Sequence, residues 1–131
     1  MQSKKSIVAI DANIVIRYLL KDNEELFNIS EKFFNEVFND EKVCYIFQVV
    51  LAEIIYVLTK FYKIDKIEVI KVLEEFLGHK NIKIQDKEII FKSLQIFKMK
   101  NLDFVDSLLC AYSQNMKIFS FDKKLNQCIN F

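Results

Sequence analysis

Proline is absent from this chain, and glycine occurs once, at Gly78. No Pro- or Gly-rich stretch, low-complexity tract or repeat marks a linker, so the 131 residues read as a single domain, 1–131. The shortage of both residues points to a coding bias toward Lys, Asn, Ile and Phe. Histidine also occurs once, as His79, in a stretch that reads as a helix end followed by a turn. A lone loop histidine nearly excludes nucleophile–histidine chemistry. The three cysteines, Cys44, Cys110 and Cys128, are odd in number, widely spaced and form no CxxC pair. A disulfide scaffold or a zinc site is therefore not expected, and a reducing cytosol is. No apolar run reaches the roughly 20 residues that a membrane span requires. The opening residues lead straight into a strand-like run rather than a secretory signal. These absences together set the expectation of a cytoplasmic protein without a membrane partner.

Just over half of the chain, 52%, is hydrophobic, enough for a sizeable core. The 19 basic side chains, only one of them an arginine (Arg17), oppose 18 acids for a net charge of +1. That balance neither demands nor forbids a nucleic-acid partner, so any basic groove must come from how the lysines are distributed. Residues 6–10 are a short β-branched run that reads as a buried parallel strand ending at Asp11. Helices are expected over residues 14–20, 24–38, 48–62, 66–77, 87–98 and 104–114. Strands are expected over 43–46, 82–84 and 118–121, with a possible edge strand at 128–130. Strands alternate with helices throughout, which argues for an α/β fold with a parallel sheet covered on both faces.

The chemistry is carried by acids. Asp103 and Asp106 lie three residues apart in an otherwise apolar helical run, with no Lys or Arg within four positions of Asp106. Like charges on one helix face repel, so the pair either points into water or helps to hold a cation. Asp11 and Asp122 each directly follow an apolar strand, where parallel sheets place their sites. Either one alone reads equally as a turn or helix-cap residue. Glu53 has only aliphatic or aromatic neighbours out to four positions on each side. On a helix that reads as buried nearly all round, an unpaired carboxylate would cost several kcal/mol, which singles Glu53 out as functional. Gathered at one sheet end, Asp11, Glu53, Asp106 and Asp122, with Asp103 beside them, carry a surplus of negative charge. A hard divalent cation such as Mg²⁺ or Mn²⁺ would offset it.

Four segments carry a resemblance. They are residues 10–20, with Asp11, Asn13 and Arg17; residues 52–58, with Glu53; residues 102–111, with Asp103 and Asp106; and residues 119–124, with Ser120, Asp122, Lys123 and Lys124. In order and spacing they resemble the PIN domain, and specifically the VapC-like toxins of bacterial toxin–antitoxin pairs. The resemblance implies a three-layer α/β/α sandwich around a short parallel sheet and a Mg²⁺- or Mn²⁺-dependent ribonuclease acting on single-stranded or loop RNA. It implies that Asp11, Glu53, Asp106 and Asp122 form the catalytic, metal-holding set. Asp103 matches a frequent extra acid, and Asn13 and Ser120 match polar residues supporting the ligands. Arg17, Lys123 and Lys124 are candidate contacts for RNA or a partner. Against this, Arg17 alone on its helix suits a structural ion pair, and the two lysines suit a solvated turn.

The implied partners are an RNA substrate, a cognate antitoxin and a second copy in a homodimer. Aromatics on the helices at 24–38 and 66–77 would serve either that interface or the core. A haloacid dehalogenase phosphatase would need an Asp where Asn13 stands, and a receiver domain does not suit the Glu53 and Asp106 helices. The remaining alternatives are a non-catalytic PIN-like scaffold that binds RNA or protein, and a free-standing RNA-processing nuclease.

Overall fold

A computed structural model of the protein describes residues 5–129. Three parallel strands, β1 (Ser6–Ala9), β2 (Lys42–Ile46) and β3 (Ile82–Ile84), form one sheet in the order β1-β2-β3. Val8 lies opposite Cys44, and Cys44 opposite Ile82. Helices α1 (Ala12–Leu20) and α2 (Glu24–Phe38) link β1 to β2. Between β2 and β3 run α3 (Gln48–Tyr56), a π-helical turn (Val57–Phe61) and α4 (Lys66–Leu77). After β3 come α5 (Lys87–Met99), α6 (Phe104–Tyr112) and α7 (Lys123–Ile129). The result is an α/β sandwich. Among the described residues no helix is long and apolar enough to cross a membrane.

The core forms where apolar stripes meet the middle strand. Cys44 and Ile46 of β2, Phe34 of α2, Leu51 and Ile54 of α3, Leu73 of α4 and Leu94 of α5 are all fully buried. Phe34 packs its ring against Tyr18, Phe33, Phe38 and Phe76, so aromatic side chains close the seam between α1, α2 and α4. A second, smaller cluster lies apart from this core. It joins Leu102, Cys110, Leu125 and Cys128 of the α6 and α7 region.

Glycine scarcity leaves a trace in the backbone. The four left-handed positions among the described residues are filled by Lys21, Asp40, Lys63 and Asp86, although only Gly adopts that conformation without cost. Lys21 closes α1 there, donating its N–H to the Arg17 carbonyl at 3.1 Å. Asp40 precedes β2 and gathers a polar cluster. The amide of Asn81, only 3% exposed, donates to the Val37 carbonyl at 3.0 Å and to Asp40 Oδ1 at 2.9 Å. Lys5 and Lys80 pair with the same carboxylate.

The Lys5 hydrogen bond, followed by that from Asn81, holds the Asp40 carboxyl down at about 2, against an ordinary 3.8. Because the unfolded chain binds this proton more tightly, the contribution is present above about pH 4 and lost as pH falls through 2. The Asp40→Asn protein is expected to lose less stability than the wild type over that acid range. Thermal melts between pH 5 and 2 would show it, and parallel curves would remove Asp40 from the acid response.

Three expectations are corrected here. β1 is an exposed edge rather than a buried strand, with Ile7 72% accessible. Residues 117–122 form no strand, and Phe119 and Phe121 stand 89% and 93% exposed with their rings edge-to-face against each other. Cys128 and Ile129 belong to helix α7 rather than to an edge strand, while residue 130 lies outside the described residues. In each case local periodicity identified an apolar segment, but pairing across the sheet is a long-range matter that periodicity does not encode.

Candidate functional site

Helices α1, α6 and α7 each begin on an aspartate. Asp11 Oδ1 accepts the Ile14 N–H at 3.4 Å, Asp103 Oδ1 the Asp106 N–H at 2.8 Å, and Asp122 Oδ1 the Leu125 N–H at 2.9 Å. Each thereby satisfies a backbone donor that a helix start leaves without an intrahelical partner. The capping use and the site use are compatible, because a cap occupies one carboxylate oxygen and leaves the other available. Ser120 reinforces the third cap. Its hydroxyl accepts the Asp122 N–H at 2.9 Å, and its carbonyl accepts Asn126 Nδ2 at 2.8 Å. The hydroxyl at position 120 thus fixes the backbone of Asp122.

Asp103, Asp106 and Asp122 line one groove of about 540 Å³. Asp106 is half-buried, and its carboxyl is raised above the ordinary value, first by burial and then by the charges of Asp103 and Asp122. No ion pair reaches any of the three among the described residues. Lys124 lies on the same groove, at the start of α7, so it belongs to a helix rather than to the expected turn. Lys123 is exposed and does not line it.

Asp11 and Glu53 do not line this groove. Asp11 is exposed at the start of α1, and α3, the helix of Glu53, packs against both α1 and α6. Glu53 is exposed as well. The buried stripe of α3 is Leu51, Ile54 and Ile55, and its far side exposes Val49, Glu53 and Tyr56. The desolvation argument that singled out Glu53 therefore fails, because an apolar helix need not be a buried one. Among the described residues no three Asp, Glu, His or Cys side chains converge closely enough to ligate one ion. The donor chemistry is nonetheless that of a hard cation, since the groove offers three carboxylates and no thiol or imidazole.

Arg17 makes the ion pair that was the alternative to a phosphate contact. Its Nη1 donates to both oxygens of Asp22 at 2.8 and 2.7 Å and to the Tyr62 hydroxyl at 3.4 Å. Its Nε donates to Asn13 Oδ1 at 3.3 Å, so Asn13 supports Arg17 rather than Asp11. The Arg17 hydrogen bond holds the Asp22 carboxyl below its usual range.

Sequence reasoning missed two features. Tyr112 donates its hydroxyl to Asp86 at 2.6 Å and accepts from Gln48 Nε2 at 2.8 Å, tying the ends of α3, α5 and α6 together. The approach of Tyr56 and Lys60 to the acids was also not foreseen. Neither feature has a local sequence signal, because each depends on elements distant along the chain.

The fold is a parallel α/β sandwich in which Asp11 closely follows β1, while the groove carboxylates Asp103, Asp106 and Asp122 stand at the starts of α6 and α7. This chain belongs to the PIN domain family, whose pattern it matches over residues 8–128. PIN domains are generally nucleases, and PIN nucleases generally use divalent metals. No curated protein and no solved structure matches the chain significantly.

Proposed function

We propose that this PIN domain is a Mg²⁺- or Mn²⁺-dependent ribonuclease that cleaves single-stranded or loop RNA, and that it is the toxin of a toxin–antitoxin pair. The observation that carries the reading is the half-buried Asp106. It has no ion-pair partner among the described residues, and its carboxyl is raised by burial and by two further carboxylates on the same groove. Functional sites keep such like-charge clusters that a merely stable fold would avoid.

Asp106 and Asp122 on the groove, with Asp103 beside them, would hold the ion, and the resemblance adds Asp11 and Glu53, which stand outside the groove, to that set. A bound Mg²⁺ or Mn²⁺ lowers the pKa of a water and offsets charge on the phosphate. The chain's own part is orientation. Asp103 fixes the first turn of α6 and with it Asp106, while Ser120 fixes the backbone of Asp122. Leu102 and Phe104, both buried, anchor the chain on either side of Asp103.

The toxin assignment rests on the four matching segments and brings with it an antitoxin and a homodimer. Leu26, Ile29 and Phe38 on α2 and Ile67 on α4 are exposed apolar side chains suited to a partner. Cleavage of RNA is expected to stop in EDTA and to return with Mg²⁺ or Mn²⁺. Cleavage that persists in EDTA would remove the metal, and none under any divalent ion would leave the non-catalytic scaffold. Neutralisation by the product of an adjacent small gene would separate a toxin from a free-standing RNA-processing nuclease.

A further inference from the structure

The walls of the acid groove differ from its rim of carboxylates. One wall is built where α3 runs into the π-helical turn, and it presents Tyr56 and Lys60. The turn is wide because Tyr62 donates its N–H to the Val57 carbonyl, five residues back, at 3.0 Å. At the junction the Thr59 hydroxyl donates to the Ile55 carbonyl at 2.7 Å, a side-chain bond that competes with the helical ladder. Such π insertions occur frequently at functional sites.

Tyr56 is 66% exposed. The other exposed aromatics among the described residues, Phe38, Phe47, Phe61, Phe119 and Phe121, each have a ring partner, whereas Tyr56 has none. Lys60 and Lys124, on different sides of the groove, form no ion pair among the described residues. Lys66, also on the groove, is occupied: it reaches the Lys100 carbonyl at 3.4 Å and lies 5.0 Å from the Phe97 ring centroid. Two uncommitted ammonium groups and one unstacked ring therefore stand beside a cluster of carboxylates that would by itself repel a polyanion.

We infer that this groove is a substrate-binding subsite for single-stranded RNA, in which a base stacks on Tyr56 and phosphates flanking the carboxylates are held by Lys60 and Lys124. The inference rests on the ribonuclease reading and deepens it. Phosphates need cations where the carboxylates are not, and an open ring face is the complement of an unpaired base. In a duplex, both faces of each base are already covered by neighbours, so a helical stem gains nothing from Tyr56. The groove volume, about 540 Å³, lies within the range that encloses a compact ligand.

The test is binding of a fluorescently labelled single-stranded RNA oligonucleotide to the full chain in EDTA, read by anisotropy without cleavage. Tyr56→Ala is expected to weaken binding about five- to a hundredfold, and Tyr56→Phe to keep it. The Lys60→Ala/Lys124→Ala double variant is expected to flatten the slope of log affinity against log salt by about 1.4. All of these positions are exposed, and melting curves matching the wild type would verify folding.

Wild-type affinity in both Ala variants would overturn the subsite while leaving the nuclease reading intact. Equal affinity for a fully paired RNA stem would overturn the single-strand assignment. If the Ala variants bind RNA normally and lose only an antitoxin peptide, the groove belongs to the peptide and the inference fails. Failure of the ribonuclease reading is seen separately, as absence of cleavage with Mg²⁺ or Mn²⁺ present.

Discussion

The Asp106→Asn protein is expected to cleave RNA at least about a hundredfold more slowly than the wild type while melting no lower at neutral pH. Both halves follow from one environment. The side chain is half-buried in the first turn of α6, shares a groove with Asp103 and Asp122, and meets no Lys or Arg in an ion pair among the described residues. Burial, then the two neighbouring charges, raise its carboxyl above the ordinary value. The native chain therefore holds this proton more tightly than the unfolded chain does. Stability falls as pH rises from the unfolded value through the folded one, and at neutral pH the ionised group is a standing cost. Asparagine keeps the size and removes the charge. The hydrogen bond from the residue-106 N–H to Asp103 survives, since it uses the backbone. What the amide cannot do is act as an anionic oxygen donor. Disturbing a group that merely supports a metal ligand costs about 10- to 100-fold, so loss of a ligand itself should cost at least as much. Cleavage assays and melts on the same preparation would check this. Unchanged cleavage would move the chemistry off this cluster, and a clear drop in melting temperature would make Asp106 a structural residue.

Much of the scaffold could be read from the chain because its pattern is local. Helices α2 and α4 begin and end where their apolar stripes do, over residues 24–38 and 66–77, and β3 occupies residues 82–84. Asp103 and Asp106 were legible as a pair because both lie in one apolar helical run, whereas Asp122 joins their groove through α7, a helix the local pattern did not reveal. The burial of Glu53 was misjudged because composition does not say which side of a helix faces the core. Val49 and Tyr56 are exposed on the same side as the carboxylate they flank. The segment 118–121 was misjudged for a related reason. Its apolar residues suit a strand, but β1 pairs only with β2 among the described residues, and Phe119 and Phe121 face solvent instead.

Reduction of the protein is expected to lower its melting temperature by about 10 °C, because Cys110 of α6 is disulfide-bonded to Cys128 of α7. The spacing of three scattered cysteines argued against any such bond, and with it for a reducing compartment. Pairing depends on α6 and α7 lying side by side, which no local pattern reveals. Cys44 stays free and buried in the main core, where desolvation pushes its thiol up to about 12 and keeps it inert. The bonded residues lie 18 positions apart. Closing a loop of that length removes chain entropy from the unfolded state worth roughly 3 kcal/mol, which in a domain of this size corresponds to the stated shift. The effect should be local as well as global. α7 packs against α6 through the small cluster of Leu102, Cys110, Leu125 and Cys128, outside the main core, and no strand pairing holds the segment before it. Since Asp122 caps α7, loosening that helix loosens a wall of the acid groove. A Cys128→Ser variant should melt at the temperature of the reduced wild type and show no further response to a dithiol. Hydrogen exchange should then rise first over residues 117–129 while α3 and α4 stay protected. Equal melting of the wild type with and without dithiol, or a variant as stable as the oxidised protein, would remove the disulfide from the stability of this domain.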